Sequence, residues 1–354
     1  MELKLAFAGF GNVARSFSRI LCEHRSQLAT QFGLRWRTTA IATANHGCVL
    51  SGGDIDLEEA ATCVSGGYSL LGLWRTFDAT NTFHLTDNCD ADILFETTPL
   101  NPINGEPAIS IIRRALSRGI NVITANKGPL AFGYHEMKAL AIHRGVSFRF
   151  EGTVMDGTPV FNLAEYCLPA ATVTGFYGVL NSTTNFILTG LETGRSFDEC
   201  LLEARKSGIV EADPEHDIDG WDATVKAVSL ANVLMGTDAR PRDVERRGIR
   251  NLSAEEVRGA AEEGLAIRLV ARAEIASGKL MIRVGPERLP RESLLGAIRG
   301  TSNVLVLQTD LMGELAVVEY DPGIEQTAYA LLADLIRVHE DMLRGRRRGS
   351  SRAG

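Results

Sequence analysis

An apolar run that stops at a glycine turn near the start of the chain, strand–helix alternation sustained over about 150 residues, and a later change to paired β-segments together predict an α/β protein. The expected architecture is a Rossmann-type doubly wound parallel sheet with a second, α+β domain. The boundaries read as 1–150 for the first domain, 151–318 for the second, 319–345 for a C-terminal helix that packs back on the first, and 346–354 for a disordered basic tail. A length of 354 residues suits two domains, and 45% hydrophobic with 23% charged residues is ordinary globular composition.

The elements follow in order. Leu3 to Ala8 reads as a strand, and Gly9-Phe10-Gly11-Asn12-Val13-Ala14-Arg15 opens a helix with Val13, Phe17, Ile20 and Leu21 on its apolar face. Strand, glycine turn and helix form the context in which this motif binds a dinucleotide. Gly9 permits the turn, Gly11 lets a pyrophosphate approach the helix N-terminus, and Ala14 is small enough for helix–strand packing. A second strand, Trp36 to Ala42, runs into Ala42-Thr43-Ala44-Asn45-His46, with no acid to hold ribose hydroxyls. That absence, with Arg15 just past the third glycine position, favours NADP over NAD. The stretch 47–67 is glycine-rich, with a short helix expected at Leu57 to Ala61. Strands at Ala91 to Phe95 and Ile120 to Thr124 end in Glu96-Thr97-Thr98-Pro99 and Ala125-Asn126-Lys127-Gly128, on the sheet edge where α/β proteins bind ligands.

Past Glu151 the texture changes. A turn-rich loop from Glu151 to Pro159 precedes a strand (Thr172 to Leu180) and the cluster Asn181-Ser182-Thr183-Thr184-Asn185, which opens a helix from about Phe186. Such a cluster suits carboxylate binding, or plain capping. Leu265 to Ile275 and Leu280 to Val284 flank Ser277-Gly278 as a hairpin. Arg291 to Arg299 reads as a helix, Val304 to Gln308 and Glu314 to Glu319 as a strand pair, and Thr327 to about Leu343 as the final helix.

One stretch, 208–226, is acidic and lacks a long apolar run. Asp219 reads as the cap of a helix whose first turn holds Asp222, with Lys226 four residues on along the same face. A solvated loop with a surface ion pair is the commoner meaning of this pattern. A site for a cationic, polar small molecule is the other.

Net charge is −7, and the segment from Arg344 onward adds five arginines and no acid, so the body is more acidic still. This argues against a nucleic-acid or anionic-membrane partner. No run approaches a membrane span, and the N-terminus does not read as a signal peptide. Six cysteines without metal-ligand spacing read as reduced thiols of a cytoplasmic protein.

These motifs, in this order, resemble the homoserine dehydrogenases over nearly the whole chain: GFGNVAR at 9–15, ETTPLNPINGEPA with TANKGPLA at 96–131, EGTVMDGTPV at 151–160, LNSTTNFILTG at 180–190 and GIVEADPEHDIDGWDATVK at 208–226. The resemblance implies reversible, NAD(P)-dependent reduction of aspartate 4-semialdehyde to L-homoserine, on the way to threonine and methionine. It implies that the second domain is catalytic and carries the contact of a homodimer. It implies catalytic roles for Lys127 and Lys226, substrate binding by Glu211 (at the ammonium), Asp217, Asp222 and Thr183, and cofactor binding by Gly9, Gly11, Asn12, Val13, Arg15, Thr97, Thr98, Lys127 and Gly323. A monovalent cation, Na⁺ or K⁺, maps to Glu151, Val154, Asp156 and Thr158, largely through backbone oxygens.

Two departures stand out. The family's Asn-Gly-Thr is Asn181-Ser182-Thr183 here, and the glycine-rich loop before the last helix is reduced to Asp321-Pro322-Gly323. They leave open a dehydrogenase of another amino-acid-like aldehyde, or an NADP-binding sensor without catalysis. With little sequence after the last helix, feedback inhibition through the regulatory domain that many relatives carry is not expected. In the chemistry that the family implies, a lysine stabilises the oxyanion and gives it a proton, and two lysines facing one pocket would lower each other's pKa. Lys226 is expected to be the acid/base and Lys127 the group that polarises the carbonyl.

Overall fold

The computed structural model describes residues 2–72, 76–210 and 214–350. The chain forms two compact units: Met1–Pro159 with Gly323–Gly354, and Val160–Pro322.

The first unit is built on a seven-stranded sheet of β1 (Glu2–Ala8), β2 (Arg35–Ala42), β3 (Cys48–Ser51), β4 (Thr76–Asp78), β5 (Ile93–Glu96), β6 (Asn121–Thr124) and β7 (Phe148–Arg149), in the order β4-β3-β2-β1-β5-β6-β7. Helices α1 (Asn12–Glu23), α2 (Arg25–Phe32), α3 (Leu57–Ser65), α4 (Thr82–Asn88), α5 (Ala108–Ser117) and α6 (Gly128–Arg144) connect the strands. Strands β2, β1, β5, β6 and β7 are parallel, with Leu5 opposite Ile93 and Phe7 opposite Phe95. The chain leaves β1 toward β2 on one side and reaches β5 on the other, so the end of β1 is a topological switch point.

Strands β3 and β4 are antiparallel, unlike the rest. Only the 43–47 loop joins β2 to β3, with Thr43 Oγ1 donating to the Gly47 carbonyl at 2.8 Å. A parallel partner would need a crossover of about a dozen residues. The glycine-rich composition around it hid this strand from the sequence reading.

The core of this unit gathers Phe7, Phe17 and Phe95, with ring centroids 4.7–6.2 Å apart. The C-terminal helix, Ile324–Ser350, adds Ala328, Leu331, Leu332, Leu335 and Val338 to the same core. It starts earlier than expected and continues through Ser350 instead of giving way near Leu343 to a disordered tail. Arginine is a good helix former, and cations near a helix C-terminus are favoured by its dipole. Residues 351–354 lie outside the described residues.

The segment 151–159, expected to open the second domain, belongs to this first unit. Its turns Glu151–Thr153 and Met155–Gly157 lie against the C-terminal helix. The Glu151 N–H donates to the Asp334 carboxylate at 2.9 Å, and a Cβ on Gly157 would stand 2.1 Å from the Gln326 carbonyl oxygen.

The second unit carries a six-stranded sheet of β8 (Val173–Val179), β9 (Glu245–Arg246), β10 (Leu265–Ala276), β11 (Lys279–Pro290), β12 (Asn303–Thr309) and β13 (Gly313–Glu319), in the order β13-β12-β8-β10-β11-β9. All pairs are antiparallel except β9 with β11. Its helices are α7 (Val160–Asn162), α8 (Ser182–Glu192), α9 (Phe197–Lys206), α10 (Glu215–Ile218), α11 (Trp221–Leu234) and α12 (Ala254–Glu262), of which α8, α11 and α12 pack on β10.

The segment 291–299 is a series of turns, not the expected helix. The fully buried Arg268 guanidinium takes the Ile298 carbonyl at 2.9 Å and the Gly296 carbonyl at 3.1 Å, and pairs with the buried Glu192. Those carbonyls serve a buried charge in place of a helix ladder.

Candidate active site

Each unit carries its own set of predicted residues. In the first, Gly9 adopts φ +93°, and a Cβ there would lie 2.7 Å from the Thr97 carbonyl carbon and oxygen. Only glycine fits, because the loops after β1 and β5 touch backbone to backbone. Thr97 seals the contact: its N–H donates to Ala8 O at 2.9 Å and its hydroxyl to Gly9 O at 2.9 Å.

Gly11 is glycine for a different reason. Its φ is −80°, open to any residue, and a Cβ would meet nothing within 4 Å. The fold does not ask for a glycine there, whereas a ligand approaching the backbone does. No side chain caps α1, so the first-turn N–H groups around Asn12 and Val13 suit an anion. The Val13 side chain packs toward the core, and Asn12 Oδ1 accepts from Arg15 at 2.6 Å. These residues fit the pyrophosphate of a dinucleotide.

Behind this turn sits a residue the sequence reading passed over. Glu96 is fully buried at the end of β5. One carboxylate oxygen accepts from the Thr98 N–H at 2.9 Å and from the Thr98 hydroxyl, and the other accepts from Thr124 at 2.7 Å. Burial pushes its carboxyl above the ordinary glutamate range, opposed by the bonds from Thr98 and Thr124. Thr124 Oγ1 accepts the Asn126 N–H, and the Asn126 amide donates to Thr98 O at 3.0 Å while accepting Gly128 N–H at 2.9 Å. Glu96 therefore ties the Thr97–Pro99 loop to the loop bearing Lys127, which stands at the N-cap of α6. Thr98 acts here as an anchor for this tie. Gly323 precedes the C-terminal helix, and its N–H donates to Gln326 Oε1 at 3.0 Å.

In the second unit, the acidic stretch folds as α10, a left-handed Gly220 at φ +78°, and α11. Asp219 does not cap α11 as expected, because Gly220 takes the N-cap position. The Asp219 carboxylate instead pairs with Arg250 at 2.7 and 3.1 Å. Arg246 donates to Asp219 O and lies 3.9 Å over the Trp221 ring.

Lys226 and Asp222 are not a surface pair. Their side chains are 10% and 15% exposed, with Nζ 3.1 Å from Asp222 Oδ2 and 2.8 Å from the Leu180 carbonyl oxygen. Asp217 joins them through Asn181, whose amide nitrogen donates to Asp217 Oδ1 at 2.7 Å and Asp222 Oδ2 at 2.9 Å. Burial, then the charge of Asp222, raises the Asp217 carboxyl above the usual aspartate range, while Asn181, Thr183 and Lys226 pull it back. Thr183 is buried beside this group. Glu211 lies outside the described residues.

The Ser182 hydroxyl accepts from the Asn303 amide of β12 at 3.0 Å, so its polar atom is engaged within the fold. From sequence, Asn181 reads as part of a cluster suited to carboxylate binding or plain capping. Nothing in a linear pattern shows one amide serving two distant carboxylates.

A family model described as homoserine dehydrogenase matches residues 159–336. An NAD(+)-dependent homoserine dehydrogenase from Pseudomonas canavaninivorans is 36% identical over 345 residues, covering 97% of this chain and 98% of the relative. A homoserine dehydrogenase from Methanocaldococcus jannaschii is 33% identical, covering 95% of this chain and 98% of the relative. Among solved structures, a putative homoserine dehydrogenase from Archaeoglobus fulgidus has a TM-score of 0.83 at 33% identity, with 95% of this chain and 99% of that chain covered. A hyperthermophilic archaeal homoserine dehydrogenase in complex with NADPH has a TM-score of 0.80 at 31% identity, with 96% and 98% covered.

Proposed function

The chain belongs to the homoserine dehydrogenase family, and from that premise we propose the part each residue takes in the reaction. The protein is an NAD(P)-dependent oxidoreductase acting on a CH–OH group, a homoserine dehydrogenase that interconverts L-homoserine and aspartate 4-semialdehyde. The observation that carries the reading is the ion pair between the buried Lys226 and the partly buried Asp222, linked to Asp217 through Asn181.

The nicotinamide coenzyme, when bound, supplies or accepts the hydride. Lys226 gives its proton to the oxygen that becomes the homoserine hydroxyl, and takes it back in the oxidative direction. Asp222 and the Leu180 carbonyl hold the Lys226 ammonium in place. Asp217 and Glu211 bind the polar substrate, Glu211 at the α-ammonium, with backbone N–H groups near Thr183 at the α-carboxylate. Lys127 polarises the carbonyl. Gly9, Gly11, Asn12, Val13, Arg15, Thr97, Thr98 and Gly323 shape the coenzyme cradle. The substrate and product place the enzyme on the route to threonine and methionine, in the cytoplasm.

NADP is the preferred coenzyme. Support comes from the lack of an acid after β2 and from Arg15 in the first turn of α1. Purified protein assayed with L-homoserine and NAD or NADP in parallel tests both statements. No oxidation with either coenzyme removes the activity, and a higher kcat/KM with NAD reverses the preference.

A monovalent cation is held by Glu151, Val154, Asp156 and Thr158. Support comes from the run of positive φ at Met155, Asp156 and Gly157 (54°, 44° and 114°), which sets this turn apart from helix and strand. The ion would supply fixed positive charge to the turn. Activity independent of added Na⁺ and K⁺ in cation-depleted buffer would remove it.

The homodimer forms through the antiparallel sheet of the second unit. Exposed Ile275, Leu311 and Met312 on that sheet and its turns are compatible with burial in a partner contact. Sedimentation giving only monomer at assay concentration rejects it.

A further inference from the structure

The carboxylates of Asp217 and Asp222 approach the same amide nitrogen from different helices, α10 and α11. Two like charges so close repel, and a neighbouring ammonium can satisfy only part of the pair. Asn181, at the end of β8, supplies what is missing. Its amide has two N–H bonds and presents one to each carboxylate. Its carbonyl oxygen is held from the other side by the Thr184 N–H at 2.8 Å and the Thr184 hydroxyl at 2.8 Å. This orientation is the favoured one, since a flipped amide would set its oxygen against two carboxylates and its nitrogen against the Thr184 N–H.

The chain just past β8 also holds the lysine. Lys226 Nζ sits on the carbonyl of Leu180, and Asp222 Oδ2, its ion-pair partner, is the oxygen that accepts from Asn181. The end of β8 thus sets both members of the α11 pair, one by backbone and one by side chain. Asn181 itself is buried. A cap alone needs only the Oδ1 half of this side chain. The Nδ2 half is spent wholly on the acid pair.

We propose that Asn181 is a positioning residue of the active site, whose amide bridges Asp217 and Asp222 so that Asp222 keeps Lys226 aligned with the substrate oxygen. This rests on the proposed roles of Lys226 and Asp222. Asn181 acts through them and does not itself touch the reacting atoms.

Asn181→Asp separates this role from capping. Aspartate caps a helix as well as asparagine does and still accepts from Thr184, but it cannot donate to either carboxylate. The expected result is an unchanged coenzyme KM with kcat for homoserine oxidation reduced at least ~10-fold, and a lowered melting temperature because a third carboxylate oxygen then faces Asp217 and Asp222. Asn181→Ser, which caps but can donate to only one carboxylate, should fall between the two. It applies the same criterion if Asn181→Asp does not fold. Retention of kcat within about twofold in a folded variant overturns the proposal, because a capping residue alone would behave that way. The wild-type enzyme is measured alongside: its inactivity on homoserine would sink the functional reading, whereas an active wild type with an equally active variant sinks only the bridge.

Discussion

Lys226 and Asp217 owe their properties to what surrounds them. Lys226 is nearly buried, held by one carboxylate and one carbonyl. Lys226→Ala should lower kcat at least ~10²-fold with little change in homoserine KM, and Lys127→Ala should do the same. A variant with near-normal kcat removes that lysine from the chemistry. Asp217 titrates above its ordinary range because burial and the Asp222 charge disfavour ionisation. If substrate binding needs the carboxylate, 1/KM for homoserine rises with pH through a midpoint above the usual aspartate value. The proton must leave before the group can bind a cation. Asp217→Asn should abolish that limb, and a profile unchanged by the substitution would dissociate Asp217 from substrate binding. The i, i+4 spacing of Asp222 and Lys226 was legible in the chain. Their enclosure was not, because it depends on Leu180 and Asn181, between β8 and α8, meeting them.

Within each unit turns position the candidate residues, and the turns differ in what they tolerate. The strand–glycine–helix unit was legible because Leu3 to Ala8 is apolar and stops at Gly9. Gly9 and Gly11 look equivalent in the motif, yet the structure distinguishes them. Gly9→Ala forces a left-handed backbone on a residue with a Cβ 2.7 Å from Thr97 and should cost roughly 1–3 kcal/mol of stability. Gly11→Ala meets no protein atom and should change stability by no more than about 0.5 kcal/mol. Its effect should appear in coenzyme KM, raised at least ~10-fold by lost backbone approach. Thermal denaturation and initial rates on the two variants check the pair, and matching profiles would contradict the assignment. Glu96 was written in the sequence as the last residue of a strand. That it is buried and organises two loops follows from Thr98 and Thr124 lying on either side of it.

For the molecule as a whole, the division into units does not follow chain order. The last helix returns to the first unit and completes its core with Leu331 and Leu335. Leu335→Ala should therefore destabilise the protein by about 2–5 kcal/mol, read from denaturant unfolding, although it lies far in sequence from any predicted site residue. A loss below about 0.5 kcal/mol would mean the helix is dispensable to that core. Residues 151–159 join the same unit through contacts to this helix, which a reading by local texture cannot detect.

What the sequence determined by itself was local. Hydrophobic periodicity marks strands and helices, glycine marks the turn after β1, and the spacing of acids and lysine marks one helix face. These depend on neighbours within a turn or two, so the chain displays them directly. The tertiary structure alone decided which polar groups became internal. Glu96, Asn181, Arg268 and Lys226 are buried, and Asp217 and Asp222 partly so, because elements distant in the chain supply their hydrogen-bond partners. A buried polar group is tolerable only when those partners arrive. That condition is set by three-dimensional closure, and no single stretch of sequence contains it.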